Sequence, residues 1–337
     1  MTVDPRLTGV LADLGVPETD LNELPDSEKR FPDGANYRIE IPSTEGPEGL
    51  ETVLEEAERL KVPVRRVSQG SGVFMLTDEE LDQYALTAAL AGIEVSLFAR
   101  PTAGWTPSAT TLTPSGGSLA PAARGQEGLV ACAQDILRAA DHGIRSVLIT
   151  DIGLLRLFSE MRVAEVVPAT MQAKVSVMMP AANALSAKVL VGLGADTLNL
   201  PTDLELAQIA AIRRAVDVPL DIYVEAPSDL GGFVRLTQIP EIVRIAAPVY
   251  VKFGLRNGPD VYPTGRHLRE MALAMSRERV RRARLGMEML ERSGLVAMTS
   301  TERARGLAVP QVVGASNGSA GVDSIGLNVT LEKEEKR

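Results

Sequence analysis

The sequence predicts an α/β fold, a (β/α)8 TIM-type barrel with an N-terminal extension and a flexible C-terminal tail. Three observations lead there. Eight short runs rich in β-branched residues recur along the 337-residue chain. Segments with helical apolar spacing separate them. No G-x-G-x-x-G fingerprint follows the first run, as an open, doubly wound dinucleotide-binding sheet would require. Alternating β and α units imply parallel strands with right-handed crossovers, and eight is the number that closes a barrel.

The strands are read as YRIEIPS (37–43), VRRVSQG (64–70), EVSLFAR (94–100), SVLITD (146–151), KVSVMMP (174–180), TLNLP (197–201), LDIYVEAP (220–227) and VYVKFGLR (249–256). Intervening stretches such as GLETVLEEAERLKV and TDLELAQIAAIRRAV have helical spacing. Thr77 with Glu80, and Thr202 with Glu205, have the form of helix N-caps. Gly92, Gly143 and Gly194 follow helices and suit their C-terminal ends. Residues 1–30 read as an extension, 31–295 as the barrel and 296–337 as a Gly/Ser-rich, then charged, tail. The Thr/Pro/Ser/Gly-rich stretch 101–125, which holds Trp105, is long for a loop and is expected to form a lid over the mouth. The basic amphipathic stretch 266–293 is expected to close the barrel exterior or to join a homo-oligomer.

Composition removes several function classes. The formal net charge of −9 argues against nonspecific nucleic-acid binding. The single cysteine, Cys132, leaves no internal disulfide, multi-cysteine zinc site or iron–sulfur cluster. No secretory signal and no apolar run of about 18 residues is read, so the expectation is a cytoplasmic protein without a membrane span.

Strand alternation assigns direction. Outward positions pack on helices and should be apolar, while inward positions line the barrel. Ile222 and Val224 therefore face outward, and Asp221, Tyr223 and Glu225 inward. The same test puts Arg38, Glu40, Arg66, Ser68, Glu94, Ser96, Arg100, Lys174, Ser176, Thr197, Asn199, Tyr250 and Lys252 inward. Buried charges must pair or reach water. The deeper set, Arg38, Arg66, Glu94, Lys174 and Asp221, is read as an ion-paired core.

The upper set lies at the C-terminal mouth, where barrels bind substrates. Strands seven, eight and one are neighbours in a closed barrel, so Lys252 is expected between Glu225 and Glu40. Two acids and an ammonium suit proton transfer beside a carbonyl. Glu225 is the preferred general base, Glu40 the second candidate, and Lys252 the group that holds a substrate oxygen. A Schiff-base role for Lys252 ranks second, because carboxylates keep an amine protonated. Ser68, Gln69, Arg100, Asp151, Ser176 and Asn199 are candidate substrate contacts. The loops SDLGGFVR and RNGPDVYPTGRH add Gly231, Gly232, Arg235 and Arg256 as a candidate anion site. No cofactor is expected; a divalent metal on Glu40, Asp151 and Glu225 is the competing use of the acids.

The segments YRIEIPS, RRVSQGSG and DIYVEAPSDLGGFVR resemble the collagenase-like peptidases, the unassigned-mechanism ("U") peptidase family thirty-two, over about residues 31–295. That resemblance implies a TIM-type barrel and a hydrolase. It carries over no catalytic residue, because Cys132 does not reproduce the cysteine cluster of many members. The residues themselves point to a small anionic carbonyl or sugar-like substrate and to lyase, aldolase or isomerase chemistry. A peptidase-like hydrolase and a non-catalytic binding or assembly protein are the alternatives.

Overall fold

From Tyr37 onward, strands and helices alternate in the order the sequence implies. The computed structural model describes residues 5–18, 24–105, 113, 121–179 and 181–312. Helix α1 (Pro5–Asp13) precedes the barrel. Then follow β1 (Tyr37–Pro42), α2 (Gly46–Leu60), β2 (Val64–Ser68), α3 (Asp78–Ala91), β3 (Glu94–Phe98) and α4 (Gly125–Asp141). The chain continues through β4 (Ser146–Ile149), α5 (Ile152–Val163), β5 (Gln172–Val175), α6 (Ala184–Gly192), β6 (Thr197–Asn199) and α7 (Leu206–Ala215). It ends the barrel with β7 (Leu220–Glu225), α8 (Ile239–Ala246), β8 (Val249–Phe253) and α9 (Arg269–Ser293). The eight strands form one closed parallel barrel in chain order, with β8 paired to β1.

Outward side chains make the core. Ile39, Ile41, Val67, Val95, Leu97, Val147, Ile149, Val175, Leu198, Val224 and Phe253 are fully or almost fully buried against the helices. Each such side chain contributes about 1.5–3 kcal/mol by leaving water. Thr77 caps α3 as expected, accepting from Glu80 N at 3.2 Å while the Glu80 carboxylate accepts from Thr77 N at 2.8 Å. Gly92 closes α3 with φ 66°, and the Arg303 side chain lies 2.7 Å from where a Cβ would stand. The cap of α7 differs from expectation. Glu205 N donates to the Gln208 side chain, while Thr202 Oγ1 donates to Leu230 O at 2.8 Å. Helix α9 packs on α2 and α8 and covers β1 and β8, so it closes the exterior.

Residues 296–312, expected to begin a flexible tail, cross the N-terminal end of the barrel. Thr299 bridges to Tyr37, Arg303 N donates to Gly92 O, and Gln311 N donates to Gly143 O at 2.8 Å. The remainder, 313–337, lies outside the described residues, as does most of the expected lid, 106–112 and 114–120.

Candidate active site

The barrel interior is filled with charge. Glu40, wholly buried, accepts from Arg66 Nε and from Ser68 Oγ, each at 2.7 Å. Lys174 Nζ donates to the same oxygen that Ser68 uses, and Lys252 Nζ stands 3.6 Å from it. Arg66 also meets Asp221 at 2.6 Å and Glu94 at 3.6 Å, and Lys174 lies 3.9 Å from Asp221. Lys252 sits 4.0 Å above the Tyr223 ring. The Asn199 amide, oriented to serve both neighbours, accepts from Lys252 Nζ at 2.6 Å and donates to Asp221 O at 3.2 Å.

Burial and neighbours set the protonation states. Burial works to raise the Glu40 pKa, but Arg66, Lys174 and Lys252 outweigh it and hold the carboxyl well below its usual range. Burial, with Arg66 close by, pushes the Lys174 ammonium down to about 7 against the pull of Glu40. Burial also lowers Lys252, opposed by Glu40 and Asp221. Two lysines and an ionised carboxylate within contact can hold and move protons.

Above this cluster lies a ring that the strand pattern did not reveal. Tyr262, in the segment after β8, lays its ring against Gly70, whose added Cβ would stand 2.4 Å from it. Its hydroxyl bonds to Ser43 Oγ. Ser43 adopts a left-handed φ of 55°, a strained conformation for a serine, just beyond β1. Arg279, from α9, is almost fully buried and donates to Ser43 O at 3.2 Å. Its Nε has no hydrogen-bond partner, and no carboxylate lies within 4 Å of it among the described residues. Burial lowers its pKa, while Tyr262, Tyr223 and Glu45 act in the opposite direction. A buried guanidinium with one hydrogen bond is costly unless an anion joins it. Arg279 falls in the buried stripe of α9 with Ser276, Val280 and Ala283, and that spacing was the signal available in the sequence.

The expected site residues divide between the centre and its surroundings. Glu40, Lys252, Ser68 and Asn199 meet, as described. Ser176 is buried nearby, its Oγ accepting from Met178 N at 3.3 Å. Gln69 braces its own loop, with its amide joined to Gly72 N and O at 3.0 Å. Arg100 donates to Gly70 O at 2.7 Å and covers Trp105, with the guanidinium carbon 4.1 Å from the ring centre. With Pro101, Ala123, Arg124 and Asp135 it borders a cavity of about 320 Å³ beside α4.

Other expectations need correction. Glu225 does not adjoin Lys252, because the β7–β8 register shifts after Tyr223. Tyr223 pairs with Lys252, and Glu225 pairs with outward-facing Phe253. The Glu225 carboxylate accepts from Arg256 N at 3.0 Å and approaches Arg282 of α9 at 3.3 Å. Asp151 caps α5 instead of facing the centre, accepting from Leu154 N at 2.8 Å and Ala123 N at 3.0 Å. Glu40, Asp151 and Glu225 are therefore not gathered, and among the described residues no three His, Cys, Asp or Glu side chains form a metal's donor set.

The Gly231 and Gly232 amides serve their own turn, donating to Ser228 O at 3.1 Å and Pro227 O at 2.9 Å. They are not free to cradle a phosphate. Arg235 turns to Leu204 O at 2.7 Å, and the exposed Arg256 side chain runs beside Gly232. Burial pushes the Cys132 thiol up to about 12, so it stays protonated on α4.

A family model, Peptidase family U32, matches residues 124–226, from α4 to just beyond β7. Among solved structures, a U32 peptidase is 20% identical, with 60% of this chain and 73% of that one covered at a TM-score of 0.38. A truncated 3-deoxy-D-arabino-heptulosonate 7-phosphate synthase from Thermotoga maritima is 14% identical, with 82% and 95% covered at a TM-score of 0.46. No curated protein matches the chain. The chain resembles the U32 peptidase family through the α4–β7 part of its barrel.

Proposed function

We propose that this barrel is an enzyme acting on a small anionic carbonyl or sugar-like compound by proton transfer, in the manner of a lyase, aldolase or isomerase. One observation carries the reading. Two lysines, Lys174 and Lys252, converge on the single ionised carboxylate of Glu40 inside the barrel. Lys252, placed by Asn199 and the Tyr223 ring, holds the carbonyl oxygen and stabilises the enolate that forms. Glu40 and Lys174 accept and return the proton. Arg279, buried with no ion-paired carboxylate among the described residues, takes the anionic group of the substrate.

The test is solvent deuterium exchange at the carbon next to the carbonyl, followed by NMR across a panel of 2-oxo acids and sugar phosphates. Exchange with at least one compound is expected. Glu40→Gln and Lys252→Met should each slow it by about 100-fold or more. Exchange that persists unchanged in both variants would move the chemistry elsewhere.

A hydrolase is the second reading, favoured by the family match over 124–226. It predicts cleavage of a peptide pool. With the Cys132 thiol protonated, the attack in such a cleavage would come from an activated water, metal-assisted in the simplest case, or from another side chain.

A further inference from the structure

We infer that the anionic group taken at the mouth is a carboxylate, held by the free edge of the Arg279 guanidinium and by the Tyr223 hydroxyl, so that the substrate is a short 2-oxo acid and not a sugar phosphate. The inference deepens the proposed function and rests on that reading of the site.

Both donors are buried and unspent. Arg279 reaches inward from α9 and is 3% exposed. Its Nη1 donates to Ser43 O at 3.2 Å, which leaves the Nε–Nη2 edge without a hydrogen bond among the described residues. That edge presents two parallel N–H groups, the arrangement that the two oxygens of a carboxylate accept. The hydroxyl of Tyr223, inward on β7, likewise has no hydrogen bond among the described residues. Burial, helped by Glu40, raises the Tyr223 pKa against the pull of Arg279, so the phenol keeps its proton and donates. Burial lowers Arg279, with Tyr262 and Tyr223 acting in the opposite direction, so the two donors are electrostatic neighbours. One carboxylate would satisfy both.

Their position fits a substrate whose carbonyl oxygen Lys252 holds. The Lys252 ammonium stands 4.0 Å above the Tyr223 ring centre, so a single ring separates it from the hydroxyl. A carbonyl and a carboxylate on adjacent carbons match that span. The ring has little freedom, since a Cβ at Gly254 would stand 3.2 Å from Tyr223 Cε1. Exposure rises from Glu40 at 0% through Lys252 at 2% to Tyr223 at 7%, so the clamp lies on the solvent side of the proton-transfer groups. Asp229, exposed on the loop after β7, also acts on Tyr223, which places this side chain toward the rim.

A phosphate is poorly served at the same place. The Gly70 and Ser71 amides, in the Gly-rich loop after β2, donate to the Glu45 carboxylate at 2.7 and 3.2 Å. A side chain of the protein thus fills the nest of amides that a phosphate would need. The Gly231 and Gly232 amides close their own turn. Glu45 also acts on Arg279, and Asp229 on Tyr223, without an ion pair to either. One guanidinium and one neutral hydroxyl beside these acids suit a single negative charge, and a phosphoryl group brings a second charge and a third oxygen with no donor to meet it.

Calorimetric titration of the full chain with pyruvate, 2-oxobutyrate and inorganic phosphate tests the assignment. At least one of the two oxo acids should bind, with phosphate weaker by about 10-fold or more. Tyr223→Phe keeps the ring under Lys252 and removes only the hydroxyl, while Arg279→Lys keeps the charge and removes the fork. Each should weaken the oxo acid by about 10-fold or more, in a protein whose circular dichroism matches the parent. Binding of neither oxo acid, binding unchanged in either variant, or phosphate binding as tight as the oxo acid would overturn the inference. Deuterium exchange separates it from the reading beneath it. Exchange with a sugar phosphate alone would leave proton transfer standing and remove the carboxylate clamp. Oxo-acid binding that needs both residues, without exchange in the parent, would keep the clamp and remove proton transfer.

Discussion

Two buried arginines sit at opposite ends of this barrel, and they differ in one respect. At the floor, Arg38 donates to Ser300 Oγ at 2.8 Å, Tyr250 OH at 3.0 Å, Arg305 O at 2.9 Å and Gly306 O at 3.2 Å. Its guanidinium also lies 4.0 Å from the Phe31 ring centre. At the mouth, Arg279 has a single hydrogen bond among the described residues, to Ser43 O, and an Nε with none. Both are cut off from water. Burial of charge does not by itself mark a site; a shortage of partners does. The segment 296–312 supplies the floor with carbonyls, and no described segment does the same for Arg279 at the mouth.

The largest expected effect tests the hub between the two ends. Arg66 contacts Glu40, Glu94 and Asp221. Arg66→Met leaves three buried carboxylates short of a cation and should lower stability by roughly 3–5 kcal/mol. Denaturant unfolding measures this, and a loss below about 1 kcal/mol would mean that water already shares the interior.

The two arginines supply the next test. Arg38→Met strips the floor and should cost about 2–3 kcal/mol, since four acceptors lose their donor. Arg279→Met removes a poorly paired charge and should leave stability within about 1 kcal/mol of the parent, or raise it. For a substrate found by the exchange assay, Arg279→Met should raise KM by roughly 10-fold or more with a smaller change in kcat. Equal stability losses in the two variants would end the comparison.

How far this contrast was legible in the sequence depends on the local backbone. Regular alternation exposed all eight strands and the inward set from Arg38 to Lys252, because a parallel barrel strand has one apolar and one inner face. The ion-paired reading of Arg66, Glu94, Lys174 and Asp221 follows the same logic, and their contacts agree with it. Alternation fails at Glu225, where a register shift turns the side chain toward α9; one extra residue in a strand leaves no mark in hydropathy. Gly231 and Gly232 looked available to an anion because composition does not reveal where an amide donates. Arg279 was hidden among many arginines of α9, since a helix's inner stripe is set by what packs on it. Lys174 was placed in the core correctly, but its protonation depends on neighbours from four other strands, which no local pattern reports.

Glu225 offers a smaller effect and a direct comparison with Glu40. Its partners are the Arg256 amide and Arg282, away from the lysines. Glu225→Gln should cost about 1 kcal/mol or less and leave deuterium exchange within a few-fold of the parent. Abolished exchange in a folded Glu225→Gln protein would return Glu225 to the chemistry and displace Glu40.

The smallest effect is a slope. The unfolded chain holds the Lys174 proton up to its usual value of 10.5, and the native state releases it near 7. Between those values the unfolded state binds more protons, so this residue makes stability rise with pH. Below about 7 both states are protonated, and the native state bears the full cost of a buried ammonium. Lys174→Met removes that dependence. Unfolding of parent and variant between pH 7.5 and 9.5, below the range where the raised tyrosines act, should therefore show the parent gaining on the variant. Parallel curves would mean that Lys174 keeps its proton throughout, and the mouth would then be as fully paired around Glu40 as the floor is around Arg38.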